Sequence, residues 1–223
     1  MCFSAGASFG ASAVLSVIGI ATIKKAKSSY QIPFASIPLI FAVQQFSEGI
    51  GWLALSNSSF APLEKVSTYI FLIFAQIVWP LWVPLAITIL EKNAKRKNIL
   101  KLFVGIGALV SCYFAHRLIM YGAQANIAGH HVAYKQVYPD SFNHIADMFY
   151  GVASLVPTFL SKTRRVWIFG SAVTISYIIT AFFYEHYILS VWCFFSSIIS
   201  ILIYMIIIGL VASDHKPVPN DLA

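Results

Sequence analysis

An all-α integral membrane bundle of seven transmembrane helices is the fold this sequence predicts, and three observations predict it. Hydrophobic residues make up 59% of the 223 residues and charged residues only 10%. Seven apolar stretches each approach the ~20 residues needed to span hydrocarbon. The basic residues between those stretches fall almost entirely on alternate loops.

The predicted spans are residues 6–23, 32–56, 66–90, 99–121, 143–161, 166–184 and 188–212. With their short connectors they consume nearly the whole chain, so residues 1–223 read as a single transmembrane domain. The first span is read as a retained helix and not as a signal peptide. No basic segment precedes it, Lys24, Lys25 and Lys27 follow it, and no Ala-x-Ala-like cleavage site closes it. In the third span, Trp79-Pro80 and Trp82-x-Pro84 predict a kink near the middle that frees backbone carbonyls toward a cavity or a neighbour.

Orientation follows from counting lysine and arginine. Lys24, Lys25 and Lys27 lie in the first loop, and Lys92, Lys95, Arg96, Lys97 and Lys101 in or beside the third. Lys162, Arg164 and Arg165 lie in the fifth, and Lys216 in the tail, so twelve of fifteen basic residues share one side. The positive-inside rule then puts the amino terminus outside and the carboxyl terminus in the cytoplasm. The net charge of +7 is therefore a topology signal. Membrane lipids are the expected partners and nucleic acid is not, because the run from Glu91 to Lys97 carries no aromatic residues on which bases could stack.

This orientation gathers the chemically capable residues toward the outer face. Glu48 sits about 12 Å below the outer end of the second span, by 1.5 Å of rise per residue. A carboxylate at that depth costs a few kcal/mol unless it is paired or faces water. Either it lines a functional cavity or it serves as a structural partner for Arg117 or a helix end. Gln44, Glu48 and Trp52 recur at i, i+4 and i+8 with Gln45 adjacent, and Gly49 and Gly51 let another helix approach.

His116 and Arg117 lie in the outer third of the fourth span, and His130, His131 and Asp140 in the loop after it. His144 and Asp147 open the fifth span at i, i+3 spacing, suited to one metal ion or to each other, although Asp147 there also fits a helix cap. Glu185 and His186 close the sixth span, so five of six histidines are outside. In the seventh, Cys193, Ser196, Ser197 and Ser200 form a stripe of small polar residues, for which helix packing is the ordinary explanation. Cys2 and Cys193 are both near the outer face, placed for a disulfide or for joint metal ligation. Removal of Met1 would expose Cys2 as an amino-terminal cysteine.

Several segments carry a family resemblance: Met1 to Phe9, Gln44 to Gly49, Trp79 to Pro84, Gly129 to Tyr134, and Ser190-Val191-Trp192-Cys193-Phe194-Phe195. They resemble a family of uncharacterised bacterial membrane proteins known only as a domain of unknown function. The resemblance implies that Cys2, Glu48, Trp192 and Cys193 belong to a shared site, and supplies no activity. In span count the chain also resembles seven-span hydrolases of the alkaline ceramidase and adiponectin receptor type, but it lacks their histidine-rich last helix.

Three functions follow as expectations. The first is an outer-leaflet enzyme hydrolysing a lipid-like substrate. Glu48 and Asp147 are its catalytic candidates, Gln44, Gln45, Trp52, Arg117 and Trp192 its cavity wall, and Cys2, His131, His144 and Cys193 candidate ligands of a transition metal such as zinc. The second is a proton- or cation-coupled transporter titrating Glu48, with Thr174, Ser176, Thr180 and Ser200 as modest candidates for the rest of its path. The third is a noncatalytic subunit or sensor. The inner membrane of a bacterium is the expected location.

Overall fold

A computed structural model describes residues 4–129, 131–136, 143–163, 165–183 and 187–214, without the side chains of 143, 144, 188 and 214. Helix α1 (Ala5–Lys25) starts at Ser4, whose hydroxyl caps Ala7 N at 3.2 Å, and ends on Lys24 and Lys25, which complement the negative end of the helix dipole. It packs along α3 (Ile37–Ser56), which the short α2 (Ile32–Ala35) precedes. Small residues set this approach: Ser12 Oγ donates to Ala42 O at 2.8 Å, and a Cβ on Gly19 would stand 2.7 Å from Leu39 N.

The next crossing is built in pieces. A 3₁₀ turn (Ser58–Leu63) leads into α4 (Glu64–Leu72), a π-helical stretch (Ile73–Val78) and α5 (Trp79–Leu90). Prolines explain the irregularity. Trp79 N–H bonds back five residues to Phe74 O, so the next donor in that register would be Pro80, which has no N–H. The Ala75 carbonyl left over accepts from Tyr150 OH at 2.7 Å, and Ile77 O accepts from Ser111 Oγ at 2.7 Å. The expected freeing of carbonyls is present, in the form of a π segment. One turn on, Pro84 leaves the Pro80 carbonyl without its helical donor, and Gly107 of α6 (Ala94–Tyr121) makes room for that oxygen, which a Cβ would strike.

A β-hairpin not expected from the sequence follows α6. Gly122, at φ +71°, ends the helix, and β1 (Gln124–Ala128) pairs antiparallel with β2 (His131–Lys135). Gly129, at φ +62°, takes a left-handed position between the paired Ala128 and His131. The hairpin closes one end of the bundle: Ala125 and Val132 bury against Trp52, and Tyr134 stacks on Phe71 at 4.5 Å.

Helices α7 (Asn143–Leu160), α8 (Val166–Phe183), α9 (Ile188–Ile199) and α10 (Ile201–Asp214) complete the described residues. Gly170 of α8 admits the Thr158 hydroxyl of α7, where any Cβ would collide. Ser200 separates α9 from α10 and donates to Ser197 O at 2.6 Å. The largest core cluster, which includes Phe34, Leu90, Leu100, Val166 and Ile207, lies toward the end opposite the hairpin, where the lysine-bearing loops gather.

Among the described residues five helices, Ala5–Lys25, Ser58–Leu90, Ala94–Tyr121, Val166–Phe183 and Leu189–Ser213, are long and apolar enough to cross a membrane, consistent with a multi-pass membrane protein. The two other predicted spans are also helical. The stretch Ile37–Ser56 carries Gln44, Gln45 and Glu48, each 0% exposed, and the apolar part of α7 is the shorter Ile145–Leu160.

Candidate functional site

The site begins with a helix that buries its polar stripe. On α3 the positions i, i+1, i+4 and i+8 bring Gln44, Gln45, Glu48 and Trp52 to the interior, where the first three are wholly buried and Trp52 is 7% exposed. Glycines allow the neighbours in. A Cβ at Gly49 would stand 2.7 Å from the Phe9 ring of α1, and one at Gly51 would touch Ser67 of α4 at 3.5 Å.

Two partners reach this stripe from other helices. Ser190 Oγ of α9 donates to Glu48 Oε1 at 2.6 Å, and Trp79 Nε1 of α5 donates to Gln44 Oε1 at 2.7 Å while its ring stacks on Phe41 at 3.9 Å. The Cys193 thiol, 3% exposed, lies beside Gln44 and within electrostatic range of Glu48. Around this cluster, Ser8 Oγ, both amide atoms of Gln45 and Trp52 Nε1 are buried with no hydrogen-bond partner among the described residues. Each such atom costs about 1–3 kcal/mol, and native interiors hold few of them.

Three spaces lie nearby, and Cys193 brings the cluster to the wall of the first of them. A narrow apolar cavity of about 40 Å³ runs between α3, α5, α7, α8 and α9, walled by Phe41, Val83, Leu155, Phe169 and Val173 with Cys193 and Ser196 on one side. That is room for three or four water-sized groups. A cleft of about 530 Å³ opens under the hairpin, lined by Gln76, Tyr134, Lys135, Gln136 and Asp147. A third space, of about 470 Å³, opens sideways at Met148, Gly151, Val152 and Tyr177. Tyr150 and Trp192 line all three, packed edge to face at 5.9 Å, and Tyr177 meets Trp192 at 5.2 Å. Gln76 of the π segment and Gln136 beyond β2 exchange two amide hydrogen bonds, at 3.0 and 3.1 Å, and so tie the hairpin to the cleft wall.

The structure thus unites Gln44, Gln45, Glu48 and Cys193 in one cluster and sets Asp147 apart from it, exposed on the cleft with Trp192. Arg117 is 4% exposed and donates to Tyr113 OH at 2.9 Å, its guanidinium 5.1 Å from that ring. His131, half-buried on β2, stacks on Tyr187 at 4.7 Å. Cys2, His130, Asp140, Glu185 and His186 lie outside the described residues, as does the side chain of His144. Among the described residues no three His, Cys, Asp or Glu side chains gather as a metal site, so nothing supports the expected ligand set. The hydroxyls considered for a polar transport path serve their own helices: Thr174 donates to Gly170 O, Ser176 to Val173 O, Thr180 to Ser176 O and Ser200 to Ser197 O.

Sequence reasoning missed Ser190, Tyr150 and Gln76. Ser190 stands in the segment that carried the family resemblance, Tyr150 follows Asp147 by one turn, and Gln76 is a lone amide in an otherwise apolar run. Each had a signal, but none was specific without the fold.

Neither the curated proteins nor the solved structures provide a match. The segments at both ends of the cluster, from the amino terminus through α9, fall within one family model covering residues 1–217, and the chain belongs to that family, the family of unknown function DUF6629.

Proposed function

We propose that this is a seven-span protein of a bacterial inner membrane, amino terminus outside, whose outer half binds a lipid-like amphiphile entering from the side. The distribution of basic residues supports the orientation. One observation carries the binding reading: Tyr150 and Trp192 together border the polar cleft, the lateral opening and the narrow apolar cavity. Such a path suits a polar head under the hairpin, near Lys135 and Asp147, and a slender chain end against Phe41 and Leu155.

Gly151 supplies the test. A side chain there meets nothing within 4 Å and would project into the lateral opening that Gly151 lines. Mass spectrometry of lipids extracted from the purified protein should find one amphiphile near stoichiometry in wild type, absent from Gly151→Trp and retained by Gly105→Trp, which is equally uncrowded and lines none of these spaces. Equal lipid content in all three sinks the reading.

A second reading, acyl-ester hydrolysis of that amphiphile, is favoured by the 2.6 Å bond from Ser190 to Glu48. Ser190 is wholly buried and lines none of the three spaces, so in this reading it must first be uncovered; its Oγ then attacks the ester carbonyl and Glu48 takes the hydroxyl proton. The buried N–H groups of Gln45 and Trp52, on either side of Glu48 along α3, would hold the oxyanion. Glu48 then returns the proton to the departing alkoxide, and water cleaves the acyl-serine. A fluorophosphonate probe should modify Ser190, with modification lost in Ser190→Ala and slowed at least tenfold in Glu48→Gln. An unmodified Ser190 in folded wild type would exclude hydrolysis by this serine and leave the binding reading intact.

A further inference from the structure

At the end opposite the hairpin, a pocket of about 340 Å³ forms where four chain segments meet: Tyr30 and Gln31 before α2, Leu90 to Asn93 from the end of α5 to the cap of α6, Lys162 and Thr163 after α7, and Leu210 and Ser213 of α10. No part of it borders the outer cleft.

Its walls are built rather than accidental. Glu91 is 4% exposed and both its oxygens are engaged: Oε1 accepts from Asn93 N at 2.9 Å, and Oε2 accepts from Ser161 Oγ at 2.9 Å and Lys162 N at 2.8 Å. The Arg96 guanidinium donates to Leu160 O, and Thr163 N donates to Ser161 Oγ at 3.1 Å, so the two loops are stapled together. Gln31, 1% exposed, accepts from Lys27 N at 2.9 Å and fixes the third wall.

The same pocket is lined by Lys92 and Lys162, and the Lys92 ammonium is held 5.2 Å over the Tyr30 ring. Among the described residues of the pocket Glu91 contributes one negative charge, with three donors already on its oxygens, against the two ammonium groups of Lys92 and Lys162. Leu90 and Leu210 give the pocket an apolar side at the helix ends, where a bilayer would meet its headgroups.

We infer that this pocket binds a phosphate-bearing anion, and that the apolar side selects the headgroup of an anionic phospholipid over free phosphate. Basic pockets between spans on the cytoplasmic side are suited to such headgroups. The inference does not rest on the outer site, because it uses none of the same residues.

Native mass spectrometry of the full-length protein, titrated with phosphatidylglycerol or phosphatidylcholine of matched chains, tests it. Phosphatidylglycerol adducts should survive at concentrations at least tenfold lower than phosphatidylcholine adducts. The preference should vanish in Lys92→Gln/Lys162→Gln and persist in Lys95→Gln/Lys97→Gln, whose lysines do not line the pocket. Displacement by millimolar inorganic phosphate would keep the anion site and overturn the choice of a lipid. No headgroup preference in wild type, or equal loss in both double variants, would overturn the site itself.

Discussion

Glu48 and Ser190 face each other across 142 positions of sequence, and only one of them stood out beforehand. A carboxylate inside an apolar run is costly enough to demand an explanation, so Glu48 was legible. Serine is ordinary in membrane helices as a packing residue, so Ser190 became visible only as the donor to Glu48. Ser190→Ala leaves Glu48 Oε1 without that donor in a dry interior, and the expected loss is about 2 kcal/mol. Glu48→Gln keeps an acceptor for Ser190 and should cost less. Thermal unfolding in detergent should therefore place the midpoint of Ser190→Ala below that of Glu48→Gln, and the reverse order would show that the bond is not what holds the pair. Glu91, outside the spans, allows a pH argument. Burial pushes its pKa up, but the bonds from Asn93, Lys162 and Ser161 and the charge of Arg96 outweigh this and leave it below its ordinary value of 4.5. A lowered folded pKa means that the carboxylate stabilises the fold above about pH 4.5 and loses that contribution as the pH falls below it. Glu91→Gln should accordingly be less stable than wild type at pH 7, with the gap closing as acid is added. A gap independent of pH would refute the assignment.

Element boundaries were largely legible, since length and apolarity alone mark where helices lie, and the predicted 99–121 differs from Ala94–Tyr121 because the charged first turn is capped by Asn93 and faces solvent at the lysine end. The π segment and the hairpin were not. A π register differs from an α register by one residue per bond; Pro80 signals that carbonyls are freed there, but nothing in Ile73–Val78 distinguishes a π turn from a kink before Tyr150 and Ser111 are seen to bond those carbonyls. The hairpin strands hold polar and apolar residues in five-residue runs short enough to read as loop, and their order comes from packing on Trp52 and Phe71. Glycines supply the sharpest test of this packing. Gly107→Ala drives a methyl group into the Pro80 carbonyl and must push α5 and α6 apart, whereas Gly105→Ala, two residues away on the same helix, enters open space. Overpacking of this kind costs about 1–3 kcal/mol. Unfolding midpoints should fall for Gly107→Ala and stay within error for Gly105→Ala, and a neutral Gly107→Ala would mean that the two helices do not approach as closely as described.

For the whole molecule the controlling fact is that its two ends differ in kind. One end is capped by a hairpin, with Lys135 its one cation between Gln124 and Gln136, and the cleft lies beneath it; the other gathers Lys24, Lys25, Lys92, Lys95, Lys97 and Lys162 around stapled loops. This asymmetry was readable from the sequence, because charge sorting survives errors in helix boundaries. The site was only partly readable, because it joins α3, α5, α7 and α9, and contacts between distant helices leave no local pattern. If the lysine end is cytoplasmic, the cleft and its lateral opening face the outer leaflet, and every substrate argument depends on that sidedness. Single cysteines decide it. In a background with Cys2, Cys112 and Cys193 replaced by serine or alanine, Asn126→Cys on the hairpin should react with a membrane-impermeant maleimide added to intact cells. Lys95→Cys, in the first turn of α6, should react only after permeabilisation. The two positions sit at opposite ends of the same connected unit, α6 and the hairpin it enters, so a consistent result needs opposite labelling at the two sites. Labelling of Lys95→Cys from outside, with Asn126→Cys protected, would invert the protein. The outer amphiphile would then have to come from the cytoplasmic leaflet, while the phosphate-binding pocket would face outward.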